Sequence, residues 1–183
     1  MLRDIANVLI SEERIRERVR AIGAEVSSQY AAFEDTESPL VLMPVMTGAL
    51  VFAADLIRHL PFKLRLELVA VSSYPGKSMA SKGAMMASEL PRDLEGKHVL
   101  IIDDILDSGS TIAVLKSLIQ EQNPASVKVC VMLEKQRSDG PPIAKADYVG
   151  FSIPDEFVVG YGLDYDGYYR NHPEIVTLHQ DAL

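Results

Sequence analysis

The chain has 183 residues, 48% of them hydrophobic and 24% charged, which is an ordinary composition for one globular domain. Its formal net charge of −8 argues against nucleic-acid binding, which favours a basic surface. No apolar run reaches the roughly 18 to 20 residues of a membrane-spanning helix, and the N-terminus lacks a signal-peptide layout. The lone Cys130 excludes an internal disulfide, so we expect a cytoplasmic protein. From the charge and the absence of a long apolar run, we expect neither nucleic-acid nor membrane partners.

Helix and strand patterns alternate along the chain. Three helices are predicted to begin after Ser11, Gly48 and Gly109. Their apolar residues are Ile15, Val19, Ile22 and Val26 in the first, Leu50, Ala53, Ala54 and Ile57 in the second, and Ile112, Leu115, Leu118 and Ile119 in the third. The predicted strands are 40–45, 64–71, 97–102, 126–133 and 148–153. This alternation indicates an α/β fold with a mainly parallel twisted sheet flanked by helices.

The segment 72–90 shows no period. It contains two glycines, one proline, many small residues and three methionines. A structureless connection of this length is uncommon in a compact domain and is usually functional or disordered. We therefore expect a loop that acts as a lid.

The richest chemistry lies in the run 99–111, Val-Leu-Ile-Ile-Asp-Asp-Ile-Leu-Asp-Ser-Gly-Ser-Thr. Asp103 and Asp104 are expected just past a strand, where ligands bind in parallel sheets. The turn Asp107-Ser108-Gly109-Ser110-Thr111 then precedes a helix, whose N–H groups and dipole suit a phosphate. The paired carboxylates suit the vicinal hydroxyls of a ribose, so the run predicts a sugar-phosphate site.

A simpler interpretation exists for the turn alone. Aspartate and serine are preferred at helix N-termini, so the turn at 107–109 suits an ordinary cap equally well. The adjacent Asp103 and Asp104 are harder to explain in this way, because two carboxylates at a buried sheet edge repel each other without a ligand or metal. The run is not a Walker A loop, since Gly-x-x-x-x-Gly-Lys is absent.

The whole run resembles the phosphoribosyl-pyrophosphate signature of the type I phosphoribosyltransferases: aliphatic residues, two acidic residues, two aliphatics and Asp-Ser/Thr-Gly-x-Thr. The resemblance implies that residues 107–111 bind the 5-phosphate and that Asp103 and Asp104 face the ribose hydroxyls. It also implies Mg²⁺ as cofactor, with Asp103, Asp104 and Asp164 as its carboxylates. Asp107 corresponds to the carboxylate near purine N7, the candidate general base.

The C-terminal part, densest in resemblance over 147–170, is similar to the hypoxanthine-guanine branch of that family. This similarity implies purine contacts by Lys135 to a 6-oxo group, by the ring of Phe157, by the backbone of Val158 and by Asp164, and a pyrophosphate contact by Arg170. Three of these residues also have an ordinary alternative: a core position for Phe157, a solvated strand end for Lys135 and a turn position for Asp164.

The resemblance, which extends over about 40–170, also implies an organisation. One domain would cover residues 1–183, with a core at about 36–150, a small hood formed by 1–35 and 151–183, and the lid at about 72–90. Ser73 and Tyr74 match the Ser-Tyr pair on the lid of relatives, which closes over the substrates. Relatives are homodimers or homotetramers, and Leu50, Val51 and Phe52 suit an interface as well as a core.

One segment departs from the family pattern. Relatives carry a basic residue before the glycine that follows the first core strand, where it holds pyrophosphate, and the peptide preceding it can be cis. Here the segment reads Met46-Thr47-Gly48. Thr47 and Gly48 are still assigned to phosphoribosyl pyrophosphate, although the charge is missing. Ser110 also stands where many relatives place a larger residue, often lysine.

These features predict a purine-salvage enzyme. Its expected reaction is the Mg²⁺-dependent transfer of a 5-phosphoribosyl group from phosphoribosyl pyrophosphate to hypoxanthine or guanine. Two alternatives remain open from the sequence: a regulator of this fold that has lost catalysis, and an enzyme that prefers xanthine.

Overall fold

The structure is a computed structural model that describes residues 3–31, 40–73, 84–86, 89–138 and 140–182. Its elements in chain order are β1 Ile5–Ile10, α1 Glu12–Tyr30, β2 Leu40–Met46, α2 Leu50–Ile57, β3 Leu64–Leu66, β4 Val69–Ser73, β5 Ala84–Met86, β6 His98–Leu106, α3 Ser110–Gln120, β7 Ser126–Gln136, β8 Tyr148–Pro154 and β9 Ile175–Leu178. A short 3-10 helix covers Gln180–Ala182. None of the described helices is long and apolar enough to span a bilayer.

A seven-stranded sheet forms the centre of the molecule. Its order is β5-β4-β2-β6-β7-β8, and β3 pairs with the first half of β2. All pairings are parallel except that of β4 with β5. The mainly parallel sheet expected from the sequence is confirmed.

Helices cover both faces of this sheet, so successive residues of a central strand enter different cores. Leu42 packs in a core with residues of α1 and α2, such as Val19 and Phe52. Its neighbour Val41 packs in the opposite core with Leu115 of α3. Burial on both faces explains why these strands are continuously apolar in the sequence.

The helices begin where the sequence predicted, but one buried face differs. Ser11 caps α1 and accepts a hydrogen bond from the N–H of Arg14 at 3.5 Å. The expected apolar faces of α1 and α3 are confirmed except that Leu118 is only half-buried. In α2 the buried residues are Phe52, Ala53 and Leu56, while Leu50 and Ala54 of the predicted face are exposed. Because α2 is apolar nearly all round, its sequence period did not reveal which face is buried.

Several predicted strand boundaries were wrong. The expected strand 64–71 is divided into β3 and β4, which pair with successive parts of β2. The strands expected at 97–102 and 126–133 continue as β6 to Leu106 and β7 to Gln136, because their pairing continues to Leu106 and Glu134. Asp103 and Asp104 therefore lie within β6 rather than beyond it.

The predicted lid is not wholly without regular structure. Residues 71–73 of β4 pair antiparallel with 84–86 of β5. Ser73 is the last residue of β4, whereas Tyr74 lies outside the described residues, as does the rest of 74–83. The expectation that this segment closes over the substrates as a lid therefore stays a prediction.

The two chain termini form a small second sheet. β1 pairs antiparallel with β9, and Val159 forms a bridge to Val176 of β9. Val159, Val176 and Leu178 form a separate small core there. The family resemblance implied that these terminal segments form a hood, but neither strand was predicted from the sequence.

Candidate active site

A cleft of about 350 Å³ lies at the carboxyl ends of β2 and β6, the edge at which α/β sheets bind ligands. Most of the predicted phosphoribosyl-binding residues line it together: Gly48, Asp103, Asp104, Asp107, Ser108, Gly109, Ser110 and Thr111. Two predicted residues, Thr47 and Arg170, do not line it. Arg137 also lines the cleft, although it was not predicted from the sequence.

The turn before α3 has a glycine at the N-cap position of the helix. This residue, Gly109, has φ +80° and provides no side-chain cap of its own. A Cβ on Gly109 would lie 2.8 Å from the backbone nitrogen of Ala144, so a larger residue does not fit. The Oγ atoms of Ser108 and Ser110 lie 2.9 Å apart. Ser108 Oγ accepts a hydrogen bond from the N–H of Ser110 at 3.3 Å, and the residues of this helix N-terminus border the cleft.

An acidic pair on β6 consists of Asp103, which is buried, and Asp104, which is half-buried. The backbone N–H of Asp104 donates to Asp103 Oδ1 at 3.0 Å, and that of Ile105 donates to Asp104 Oδ1 at 2.8 Å. Burial raises the pKa of Asp103 well above its usual range, and the Asp104 carboxylate raises it further. Burial also raises the pKa of Asp104, against opposing hydrogen bonds and the charge of Arg170. Such a pair favours a proton or a bound cation.

Asp107 lies between two cations. Lys135 Nζ is 3.5 Å from Asp107 Oδ2, and Arg137 Nη1 donates to Asp107 Oδ1. Lys135 also lies 3.5 Å from Asp155 Oδ1, and its side chain is only 13% exposed. Lys135 is thus a buried link between two carboxylates, and the alternative of a solvated strand end is wrong.

Arg137 and Asp155 were missed by the sequence analysis, although a signal for them was present. Arg137 follows Lys135 by two residues, so both side chains belong to the same face of the extended chain. Asp155 comes directly after β8, the strand that pairs with the end of β7. Parallel strands bring such carboxyl ends together at one sheet edge, which explains how these charges meet.

The predicted purine residues adjoin this charged group. Phe157 is 45% exposed and meets Tyr165 edge-on, with ring centroids 5.6 Å apart. The core alternative is therefore wrong for Phe157, while the neighbouring Val158 is buried. Asp155, which contacts Lys135, brings this segment alongside Asp107.

Asp164 and Arg170 form an ion pair, with 2.7 Å between Arg170 Nη2 and Asp164 Oδ1. Arg170 Nη1 also donates to the carbonyl oxygen of Gly162 at 2.7 Å. Asp164 Oδ2 accepts from the N–H of Gly167 at 2.8 Å, as the turn alternative predicts. Asp164 is therefore a turn residue that also orients an arginine.

Two glycines allow close packing between Asp104 and the segment that contains Arg170. The first, Gly48, follows the peptide bond Met46–Thr47, which is cis, as the family resemblance allowed. A Cβ on Gly48 would lie 1.8 Å from Asp104 Oδ2, and one on Gly162 would lie 2.2 Å from the carbonyl oxygen of Gly48. The loop after β2 is thus packed tightly between Asp104 and the segment that holds Arg170.

The site fits a metal shared with a ligand better than a metal held by protein alone. Within the described part of the chain, no three histidine, cysteine, aspartate or glutamate side chains gather to hold an ion. Asp103 and Asp104 are adjacent, whereas Asp164 is paired with Arg170. Mg²⁺ commonly uses one or two carboxylates together with substrate phosphates and water, which this arrangement permits.

Comparison with known proteins gives consistent matches. The model of the phosphoribosyl transferase domain matches residues 12–166. The hypoxanthine-guanine phosphoribosyltransferase of Bacillus subtilis (strain 168) is 44% identical over 178 residues, which cover 97% of this chain and 96% of the relative. The enzyme of that name from Streptococcus pneumoniae (strain R6) is 36% identical, with 98% and 96% covered.

Solved structures agree with these sequence matches. The hypoxanthine phosphoribosyltransferase of Staphylococcus aureus matches with a TM-score of 0.88 at 36% identity, covering 99% of this chain and 95% of the other. A structure of the Trypanosoma cruzi enzyme matches with a TM-score of 0.88 at 36% identity, covering 97% and 93%. The predicted fold class is confirmed by this similarity.

Proposed function

This chain belongs to the phosphoribosyltransferase family, and we propose on that premise that it transfers the 5-phosphoribosyl group of phosphoribosyl pyrophosphate to hypoxanthine or guanine. The products are IMP or GMP and pyrophosphate, so the reaction serves purine salvage. The observation that carries the proposal is that one cleft contains a phosphate turn, an acidic pair and an aspartate flanked by cations. The missing charge at Thr47 favours the alternative of a regulator without catalysis, whereas the turn, the acidic pair and Asp107 favour the enzyme.

The phosphoribosyl end is assigned to β6 and the turn that follows it. The N–H groups and hydroxyls of Ser108, Ser110 and Thr111 bind the 5-phosphate, and the dipole of α3 favours its charge. The carboxylates of Asp103 and Asp104 accept hydrogen bonds from the ribose hydroxyls. Because Asp103 and Asp104 adjoin the turn, they suit a sugar that carries its phosphate at the near end.

The acidic pair also supports the binding of Mg²⁺. A cation beside Asp103 and Asp104 would stabilise their charged carboxylates and so oppose the effect of burial, which raises their pKa values. When bound, Mg²⁺ neutralises charge on the pyrophosphate group. Asp164 reaches a metal through water in this proposal, since Arg170 occupies one of its oxygens.

The purine end is assigned to Lys135, Phe157 and Val158. Lys135 donates to the 6-oxo group, and the exposed ring of Phe157 stacks on the base. The backbone of Val158 reads the purine edge, with Asp164 near the amino edge of guanine. A donor aimed at a 6-oxo group discriminates against adenine, which carries an amino group at that position.

In the chemical step, the bond from ribose C1 to pyrophosphate breaks and a bond from C1 to purine N9 forms. Asp107 accepts the proton released by the base at N7, and Lys135 and Arg137 hold its carboxylate in place. Arg170, Gly48 and Thr47 meet the departing pyrophosphate. Thr47 contributes a hydroxyl but no charge, so Arg170 is the main cation assigned to that end.

Two further assignments complete the proposal. Ser73 and Tyr74 belong to a lid that closes over the substrates and excludes water from the ribosyl centre. The protein acts in the cytoplasm as a homodimer or homotetramer. For the Trypanosoma cruzi enzyme, the C-terminal region has a described role in oligomeric state and activity, which supports measuring the oligomeric state of this chain by light scattering.

Base preference tests the purine assignment. The protein is incubated with Mg²⁺, phosphoribosyl pyrophosphate and one base at a time: hypoxanthine, guanine, xanthine or adenine. We expect kcat/KM for hypoxanthine or guanine to exceed that for adenine by at least about a hundredfold, because Lys135 is a donor. A preference for xanthine would select the third interpretation, and equal use of adenine would contradict the role of Lys135.

A further inference from the structure

A second cavity, of about 580 Å³, lies between α1, α2 and residues 161–173. No residue that lines it also lines the catalytic cleft. Its polar lining is dominated by six basic side chains: Arg16, Arg20, Arg58, His59, Arg170 and His172. Among the residues that line it, only Arg170 has a role in the proposed reaction.

The cavity is lined by more positive than negative side chains, although the chain as a whole is acidic. Four arginines face only two carboxylates, Glu12 and Asp55, so the local charge is positive while the chain carries −8. Arg20 forms no ion pair or hydrogen bond with any described residue. Arg58 lies 3.8 Å from Asp55 with its side chain 77% exposed, a pairing that contributes little. Two guanidinium groups at this cavity are therefore available to a ligand.

His172 gives an independent indication of a ligand. It is 6% exposed, and its Nε2 atom is buried without a hydrogen-bond partner in the described part of the chain. The Glu174 carboxylate is 3.6 Å from Nε2, beyond hydrogen-bonding range. A buried polar atom of this kind is costly unless a ligand or water satisfies it.

The remaining residues that line the cavity indicate which nonpolar groups a ligand would carry. Ile15, Val19 and Val51 provide apolar surface, and Tyr161 provides a ring. The volume lies within the range of roughly 300 to 1,000 Å³ typical of small-molecule sites. Arginines recognise phosphate through paired N–H donors, so the cavity combines phosphate-binding groups with apolar and ring surface.

We propose that this cavity binds a nucleoside diphosphate, with the diphosphate group on Arg20, Arg58 and His172. The proposal does not depend on the reaction assigned to the catalytic cleft. Arg170 lines this cavity and also pairs with Asp164, so a ligand here contacts a residue of the proposed pyrophosphate end.

The four histidines of the chain provide a site-specific test. His59 and His172 line the cavity, whereas His98 and His179 do not. Histidine ring signals are followed by ¹H–¹³C NMR while the full chain is titrated with ADP or with inorganic pyrophosphate. We expect both ligands to shift His59 and His172, with ADP binding about tenfold more tightly because its ring adds apolar contact. Absence of a shift with either ligand would overturn the proposal.

A charge-matched pair of variants separates this site from general electrostatics. R20A/R58A should weaken ADP binding at His59 and His172 by at least about tenfold, because two exposed guanidinium groups are lost. R3A/R92A removes two exposed guanidinium groups that do not line the cavity, and should leave the affinity unchanged. Equal effects of the two variants would contradict the proposal. So would unchanged affinity in R20A/R58A with an altered oligomeric state by light scattering, which would make the cavity an interface between copies.

Discussion

The carboxylate of Asp107 has an environment that suits one precise task. It contacts Lys135 and Arg137, so its orientation is fixed from two sides, and it lines the cleft beside the phosphate turn. A general base needs this kind of fixed position relative to the proton that it removes. The proposed role can be tested because asparagine keeps the shape of the side chain and removes its basicity.

We expect Asp107→Asn to lower kcat by about 100-fold or more, because the purine proton loses its acceptor. KM for phosphoribosyl pyrophosphate should change by less than about threefold, since Ser108, Ser110 and Thr111 are untouched. Steady-state kinetics with hypoxanthine measures both quantities. A near-native kcat with normal substrate binding would show that Asp107 is not the base.

Asp103 illustrates the opposite case, a carboxyl group placed at a cost to stability. Burial raises the pKa of Asp103, so its carboxyl group binds a proton more tightly in the folded protein than in the unfolded chain. The contribution of Asp103 to stability is therefore complete below its unfolded pKa and is lost as the pH rises through the folded pKa. At neutral pH the ligand-free protein carries the cost of this burial.

We expect Asp103→Asn to raise the free energy of unfolding of the ligand-free protein by about 1 kcal/mol or more at pH 8. The gain should shrink as the pH falls towards 3.8, the ordinary pKa of the group. Thermal unfolding at several pH values measures it, with the exposed Asp181→Asn as the control. A gain that does not depend on pH would contradict the burial argument.

At the scale of elements, the carboxyl ends of the strands determine which groups meet. The sequence predicted the sheet, the helix starts and the phosphate turn, because apolar runs and N-terminal signals are local properties. It ended β6 and β7 too early, since polar residues such as Asp103 and Lys135 interrupt the apolar pattern while strand pairing continues. The contacts of Asp107 with Arg137 and Lys135 depend on that pairing and were not predictable from local pattern.

The close packing of two loops is also an element-scale property. Gly48 separates Asp104 from Gly162, and a Cβ on either glycine would overlap a neighbouring oxygen atom. Gly167 offers a matched control for Gly162, because it also has a positive φ but a Cβ there would meet nothing within 4 Å. Substitution at Gly162 and Gly167 therefore separates backbone strain from overlap.

We expect Gly162→Ala to lower kcat/KM by at least about tenfold and to destabilise the protein more than Gly167→Ala. Both variants carry a backbone penalty of roughly 1 to 2 kcal/mol, but only the first pushes its Cβ into the Gly48 carbonyl. Thermal unfolding and steady-state kinetics on both variants measure the difference. Similar losses in the two would indicate that the approach of Gly162 to Gly48 is unimportant.

For the whole molecule, the sheet and its helices form a frame on which two chemically distinct cavities lie. The catalytic cleft combines buried carboxylates with a phosphate turn, and the cavity between α1 and α2 gathers arginines. An acidic chain can bind anionic substrates because local N–H groups and cations, rather than the net charge, contact them. The expectation that the protein binds no nucleic acid, which rests on the net charge, stays a prediction.

The terminal segments show what sequence patterns missed at this scale. β1 and β9 pair over a sequence separation of about 170 residues and are short, so neither produces a strong local signal. The family resemblance nevertheless placed both termini in one hood. Resemblance over the motif 99–111 and over 147–170 thus predicted more of the molecule than periodicity alone.

The most direct test of the central claim is product formation by the purified chain. Hypoxanthine, phosphoribosyl pyrophosphate and Mg²⁺ are supplied, and IMP and pyrophosphate are quantified over time, with EDTA as the control. We predict equal amounts of the two products and loss of turnover when the metal is chelated. A folded protein that forms no nucleotide from hypoxanthine or guanine under these conditions would contradict the proposed function.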